Sequence, residues 1–458
     1  LAVLEEEIPY FKDQQAGRGT KKDAAWKEQD GCWQRDAAGN VYRGSVLEHL
    51  LLQNLTAFYE VGEHGHIRLR GADWNDALDM AGERGESVAF TNAYAGNLRE
   101  LAELLALYAE KTGKESVPLN RDLFVLLADD DTLYASVQKK QELLTRYTDA
   151  CIHEVSGQKT EVSITELVRS LQKKAAFLTG HIRATEWVND EEGNGWFNGY
   201  YDNHGRCVEG VFAQGVRMML TSQVFAVMAQ TATDEQVAEI VRSADKYLYC
   251  DAMGGYRLTD FGEVKMDLGR MFGFAYGEKE NGAVFSHMAV MFANALYKRG
   301  FVKEGHRALD ALYRQSVHFE TSRIYPGIPE YFNSRGKGMY HYLTGAASWY
   351  MLTVITEMFG AKGCAGNLML EPKLERQQFD LDERAELFFS FAGQSLHLVY
   401  ENKEHKEYGA YRPGTIRIDG ELWDYSGGEK ETRSVCIDRE RLKQLDFDVT
   451  HEILVELV

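Results

Sequence analysis

Three aspartates at spacing three, Asp73, Asp76 and Asp79, surround Trp74 and Asn75 in the stretch Arg70 to Met80. An aromatic ring beside a carboxylic acid suits sugar chemistry: the ring offers a flat face to a pyranose, and the acid offers a proton to a glycosidic oxygen. The same residues also read as an ordinary helix start, with Asp73 as N-cap and Asp76 at the third helical position. Three further stretches join loop composition to capable side chains. They are Gly277 to His287, with Glu280; Tyr325 to Asn333, with Glu330; and Tyr340 to Trp349, with Thr344 and Gly345. Each has a plain structural reading too. Glu280 can cap a following helix, His287 can be a core histidine, and Thr344 can be an N-cap.

The elements that must position these residues are mostly helical. Apolar residues at helical spacing predict helices over 45–59, 92–111, 164–178, 214–232, 234–248, 285–299, 303–313 and 344–359. Ser45 and Thr233 or Asp234 serve as caps, and residues 133–155 are amphipathic. Residues 119–127 form a short apolar segment of either type. Residues 1–40 read as polar and loop-like. Residues 187–206, 254–271 and 322–340 are rich in glycine and aromatics and read as long loops or small hairpins. Beyond residue 362 the period becomes two, in runs beginning at Leu368, Ala385, Ser395, Thr415 and Glu452, which is strand chemistry. The expected architecture is therefore a helical domain over 1–361 and a β-rich, sandwich-like module over 362–458. Short-connected helix pairs with long loops at one end suggest an α/α toroid with its site in the loops.

Composition narrows the partners. The chain has 458 residues, 44% of them hydrophobic, enough for a sizeable core. A net charge of −19 argues against nucleic acid or an anionic membrane surface. No apolar run approaches the length of a membrane span. The acidic start at Glu5, Glu6 and Glu7 is no signal peptide. Six scattered cysteines without a paired motif fit a reduced, cytoplasmic chain. His64 and His66 have metal-like spacing, but no cysteine or acidic partner completes a site, so a solvated loop is the expectation and no metal is expected. Aromatics make up 12% of the chain, and several, Trp33, Trp74, Trp196, Tyr200, Tyr201, Tyr340 and Tyr342, sit in polar surroundings that suit sugar stacking.

Taken in order, these motifs resemble glycoside hydrolase family 94, the inverting β-glucoside phosphorylases. The resemblance rests on Leu4 to Phe11, Gly71 to Asp76, Glu83 to Ser87, Lys279 to Gly282, His287 and Leu343 to Trp349. It implies an (α/α)6 barrel with flanking β-sandwich or jelly-roll modules. It implies Asp76 as general acid, with Trp74 lining the donor sugar's subsite beside Asp73 and Asn75. It further implies Glu280 on the acceptor sugar, and His287, Thr344 and Gly345 on phosphate. No cofactor is implied; inorganic phosphate is the co-substrate, and a β-linked gluco-oligosaccharide is the partner. The chain then corresponds to the C-terminal portion of a phosphorylase, with an incomplete toroid. Either the chain is truncated or a second chain supplies the earlier part, which includes donor-gripping arginine and aspartate side chains, and the exposed helix faces of an incomplete toroid would favour a homo-oligomer.

The chemistry is consistent with those roles. An inverting hydrolase needs an acid and a base, whereas a phosphorylase needs one acid, because phosphate is already an anionic nucleophile. It needs a phosphate cradle instead, and hydroxyl, imidazole and helix N-terminal N–H donors meet that demand. Packing against Trp74 and proximity to Asp73 or phosphate would raise the pKa of Asp76. Arg84 and Arg99 are both candidates for a phosphate-binding arginine, and the basic, glycine-rich segment Arg335 to His341 is a further source of positive charge. That loop departs from the cellobiose phosphorylase pattern and points toward oligoglucan-type members. The alternatives are an inverting hydrolase using Glu280 or Glu330 as base, and a non-catalytic sugar-binding subunit.

Overall fold

The computed structural model describes residues 1–10, 33–70, 78–151, 153–324, 327–341, 344–423 and 433–458. Its contacts divide into two units, residues 1–243 with 260–275, and residues 244–259 with 276–458.

In the first unit, helix α1 (Val46–Tyr59) starts at a capping box. The Glu48 amide donates to Ser45 Oγ, and the Ser45 amide donates to the Glu48 carboxylate. Leu47, Leu51, Leu55 and Phe58 are buried along one face, as the periodicity predicts. Helix α2 (Val88–Thr112) begins one turn before the expected Asn92, because Ser87 Oγ accepts the Phe90 amide and caps it there. It ends at Gly113, which takes the left-handed conformation that releases the chain. Helices α3 (Asp131–Tyr134), α4 (Val137–Cys151), α5 (Ile164–Thr185) and α6 (Leu220–Met228) follow. α2 packs on α5 and α6, and α1 packs on α2 and α4. The apolar faces of α1 to α5 form one core running from Leu4 to Leu178.

Several expectations for this unit need correction. Residues 1–10 are ordered into a 3-10 turn, Ala2–Glu5, and a strand, Glu7–Pro9, that pairs with Arg43–Ser45. The expected helix 214–232 shrinks to α6, because Gly210–Phe212 and Gly215–Arg217 pair as a hairpin whose glycines take positive φ. The Met219 amide at the helix start donates to the buried Glu209 carboxylate, a partner no local pattern reveals. Residues 187–206 do contain a hairpin, Trp187–Asn189 with Gly195–Phe197. Its aromatics are not cleft-facing: Trp196, Tyr200 and Tyr201 are buried. The polar residues around them are buried as well, in hydrogen bonds of their own.

Helix α7 (Asp234–Tyr247) crosses the division between units. Thr233 and Gln236 exchange capping hydrogen bonds at its start. The second unit holds α8 (Ser286–Lys298), α9 (Val302–Val317), α10 (Phe319–Ser322) and α11 (Gly345–Thr353), with α8 packed on both α9 and α11. α11 runs into a π turn, Val354–Met358, and stops at Gly360. Met351 and Leu352 on it are 64% and 46% exposed. Its sequence is apolar on every side, so periodicity cannot say which side packs on α8.

From Ala361 the chain is β-rich. One three-stranded sheet joins Ala361–Cys364, Asn367–Leu370 and Val435–Ile437. A five-stranded sheet runs in the order Arg384–Phe391, Gln394–Glu401, Thr450–Leu457, Pro413–Ile418, Glu421–Leu422. Its second and third strands are parallel. The five period-two runs all fall in these strands. Among the described residues, no helix is long and apolar enough to cross a membrane, and no group of three or more His, Cys, Asp or Glu is placed to hold a metal ion.

Candidate functional site

Asp73, Trp74, Asn75 and Asp76 lie outside the described residues, as do Tyr325, Tyr342 and Leu343. Contacts frame the chain on either side of residues 71–77. Ile67–Arg68 and Glu86–Ser87 pair antiparallel, and the Leu69 amide donates to the Gly85 carbonyl at 2.8 Å. Asp79 Oδ1 accepts the Arg270 amide at 3.0 Å, and the Met80 amide donates to Leu268 at 3.2 Å. Glu86 anchors the base of this connection. It is fully buried and accepts the amides of His64 and His66, each at 2.9 Å, and its Oε1 lies 2.7 Å from His64 Nδ1.

The histidine pair is therefore not a solvated loop. His66 is buried with Nε2 2.9 Å from Glu186, which also accepts from Tyr201 and Asn198. Burial alone would raise the Glu186 carboxyl, but the His66 contact and the hydrogen bonds outweigh it and hold it near about 2. Glu186 stands far from His66 in sequence, which is why the spacing of the two histidines could not reveal the pair.

The second unit brings the other candidates onto one small framework. Strands Val284–Phe285, Tyr331–Phe332 and Gly338–Met339 form a three-stranded sheet. The segment before it turns tightly: the Gly277 amide donates to Asn281 at 2.7 Å, with Lys279 and Gly282 at positive φ. This turn directs Glu280 inward, where it is 9% exposed. The Tyr331 hydroxyl donates to Glu280 Oε1 at 2.9 Å, while Oε2 is buried without a partner among the described residues. Glu280 thus does not cap α8, whose N-cap, Phe285, makes no side-chain cap bond. Glu330, next to Tyr331, is half-buried, and burial together with the nearby Glu280 charge raises its carboxyl. Lys279 Nζ sits 4.7 Å from the centre of the Tyr340 ring, and Tyr340 is 54% exposed.

His287 is the second residue of α8, and Gly345 is the first of α11. A Cβ on Gly345 would lie 2.7 Å from His287 Cε1 and 2.8 Å from Nδ1, so only glycine allows this approach. Thr344 is the N-cap of α11: its Oγ accepts the Ala347 amide at 3.2 Å and donates to the Ile328 carbonyl at 2.9 Å. The cap leaves the first N–H groups of α11 without helical acceptors. Burial pushes the His287 imidazole below its ordinary value, which favours the neutral ring. An imidazole thus lies against the start of a helix, where backbone N–H groups and the helix dipole favour negative charge. Tyr331 was the residue missed from sequence; only the strand pairing of Phe285 with Tyr331 reveals it.

The arginines divide by what holds them. Arg84 is paired with Glu63 on the surface. Arg99 donates to the Ala229 carbonyl at 2.9 Å and has a second guanidinium nitrogen buried without a partner among the described residues. Arg335 and Lys337 are exposed on a turn whose amides donate to Asn333 Oδ1.

With this geometry defined, comparison with known proteins is informative. The model for the Glycosyl hydrolase 94 superfamily, catalytic domain, matches residues 152–360. That span holds Glu280, His287, Glu330, Thr344 and Gly345. The chain resembles glycoside hydrolase family 94. The solabiose phosphorylase of Paenibacillus borealis is 24% identical over 389 residues, 82% of this chain and 42% of that protein. The N,N'-diacetylchitobiose phosphorylase of Vibrio proteolyticus is 23% identical over 374 residues, 80% of this chain and 39% of that protein. The chain thus spans about two fifths of the length of these curated relatives. The catalytic domain of the family implies an (α/α)6 toroid, and the helices and C-terminal sheets are consistent with it. Among solved structures, an uncharacterized conserved protein from Thermus thermophilus aligns with a TM-score of 0.32 at 13% identity, over 59% of this chain and 48% of that one. That overlap is too weak to carry an argument.

Proposed function

We propose that this chain carries the acid and the phosphate side of an inverting glycoside phosphorylase acting on a β-linked gluco-oligosaccharide. The carrying observation is the contact of Gly345 with His287 at the capped start of α11. It supplies neutral N–H donors to an anion and makes a second catalytic carboxylate unnecessary. In this reading Asp76 protonates the glycosidic oxygen and phosphate attacks the anomeric carbon from the opposite face. The bond to the leaving sugar breaks, and an α-sugar 1-phosphate forms with inverted configuration. Trp74, Asp73 and Asn75 face the donor sugar, and Glu280, steadied by Tyr331, accepts hydroxyls of the acceptor sugar. We take 1–361 as the helical catalytic portion and 362–458 as the β-rich module, whose two sheets we read as a jelly-roll-like sandwich.

One observation favours a second reading. Glu330, raised by burial and by Glu280, could act as a base on water, as an inverting hydrolase requires. Incubation with β-linked gluco-oligosaccharides, with and without phosphate, separates the two. Sugar phosphate formed only with phosphate supports the phosphorylase, and free sugar released without phosphate supports the hydrolase. Binding without turnover supports a sugar-binding subunit. Asp76→Asn should abolish turnover in either enzyme, and retained activity would refute the acid assignment.

A further inference from the structure

Phe388, in the middle of strand Arg384–Phe391, is 68% exposed. It pairs in register with His397 of the next strand, and the two rings lie parallel with centroids 4.1 Å apart. His397 is itself held between carboxylates: Nε2 is 3.0 Å from Glu386 and Nδ1 is 3.9 Å from Glu452. One step along the sheet, the register aligns Ser390, Ser395 and Thr450, all exposed, across three strands. These hydroxyls and Phe388 line a surface depression of about 290 Å³.

Phe388 rests one face on His397 and leaves its ring open to water, the arrangement of an aromatic stacking platform. What covers it must match the surroundings. A broad apolar partner would meet two carboxylates and three hydroxyls that lose their water. An anion would meet the charges of Glu386 and Glu452. A pyranose fits both features, because its C–H face stacks on an aromatic ring while its rim of hydroxyls donates to carboxylates and exchanges hydrogen bonds with serine and threonine. We propose that this face of the five-stranded sheet is a second carbohydrate site, separate from the proposed phosphorolysis residues, that takes a neutral glucosyl unit of an oligosaccharide chain. The choice of a glucosyl ligand rests on the phosphorylase reading; the existence of a sugar site here does not.

The test is calorimetric titration of the full chain with cellotetraose and with a β-1,2-linked glucotetraose. Phe388→Ala and His397→Ala are compared with the wild type, and thermal denaturation verifies folding. Loss of the stacking ring should weaken this binding about tenfold, with the denaturation midpoint and any phosphorolysis of short substrates unchanged. Titrations identical in wild type and Phe388→Ala would overturn the proposal. So would a change in self-association by Phe388→Ala with sugar binding intact, which would mark the face as a protein contact. Phe388-dependent binding in a chain that never forms sugar phosphate would sustain this site and remove only the phosphorylase reading.

Discussion

Replacing Gly345 by alanine adds one methyl group, and its effect can be worked out from the contact it makes. Gly345 does not take a positive φ, so its backbone does not require glycine. Alanine should even favour a helix, by up to about 1 kcal/mol. The new Cβ would sit 2.7 Å from His287 Cε1, whereas ordinary contact begins at 3.4 Å, so the imidazole must retreat by about 0.7 Å. It cannot do so freely, because the Phe285 and Trp349 rings stand 6.0 Å from it, centre to centre. Misplacement on the ångström scale costs a positioned group up to about a hundredfold. Phosphate affinity should therefore fall by about 10- to 100-fold, or about 1.4–2.7 kcal/mol. Calorimetric titration of inorganic phosphate into the wild type, Gly345→Ala, His287→Ala and the double variant measures it. If the methyl acts through the imidazole, Gly345→Ala should cost almost nothing once His287 is alanine. An unchanged affinity in Gly345→Ala, or an equal loss in both backgrounds, would refute the cradle.

Two other measurements probe separate parts of the molecule. Tyr331→Phe removes the hydroxyl that donates to Glu280, so in the proposed phosphorylase run in reverse, from sugar phosphate and acceptor sugar, the efficiency measured against acceptor concentration should fall about tenfold with the phosphate dependence unchanged. Lys140 of α4 is 1% exposed, lies 4.3 Å and 4.9 Å from the Phe58 and Phe177 ring centres, and is pushed down to about 7 by burial. Between pH 7 and about 10 the unfolded chain then keeps a proton that the folded chain has lost, so stability should rise with pH across that window. Lys140→Met should flatten this rise and raise the denaturation midpoint at pH 6, where the wild type still buries the charge; an unchanged pH profile would show that the site is hydrated.

Much of the framework was legible locally. The Ser45 cap, the Thr233 cap, the periodic faces of α1, α2 and α5, and the period-two runs beyond Ala361 are short-range patterns, and short-range physics builds them. The candidate residues were legible as types, because a capped helix start at Thr344 and a glycine beside it are written in adjacent positions. Their partners were not. His66 finds Glu186, Glu209 fixes the start of α6, and Tyr331 holds Glu280, each through a contact that no local pattern marks. Burial of Trp196 and Tyr201 and exposure of Met351 were equally invisible, since neighbouring polarity says nothing about which side of an element meets the core.

The sequence by itself determined which side chains could donate, accept and stack, and most of the segments that become helices or strands, because caps, turn residues and hydrophobic period act within a few positions. Only the tertiary structure decided which of those groups meet. It set Gly345 against His287, turned the Glu280 carboxylate inward against Tyr331, and laid Phe388 flat on His397 at the surface. The physical reason is that desolvation and close packing depend on residues distant in sequence but adjacent in space, so an approach that leaves no room for a Cβ on Gly345 and a buried Glu280 carboxylate exist only once the chain has closed around them.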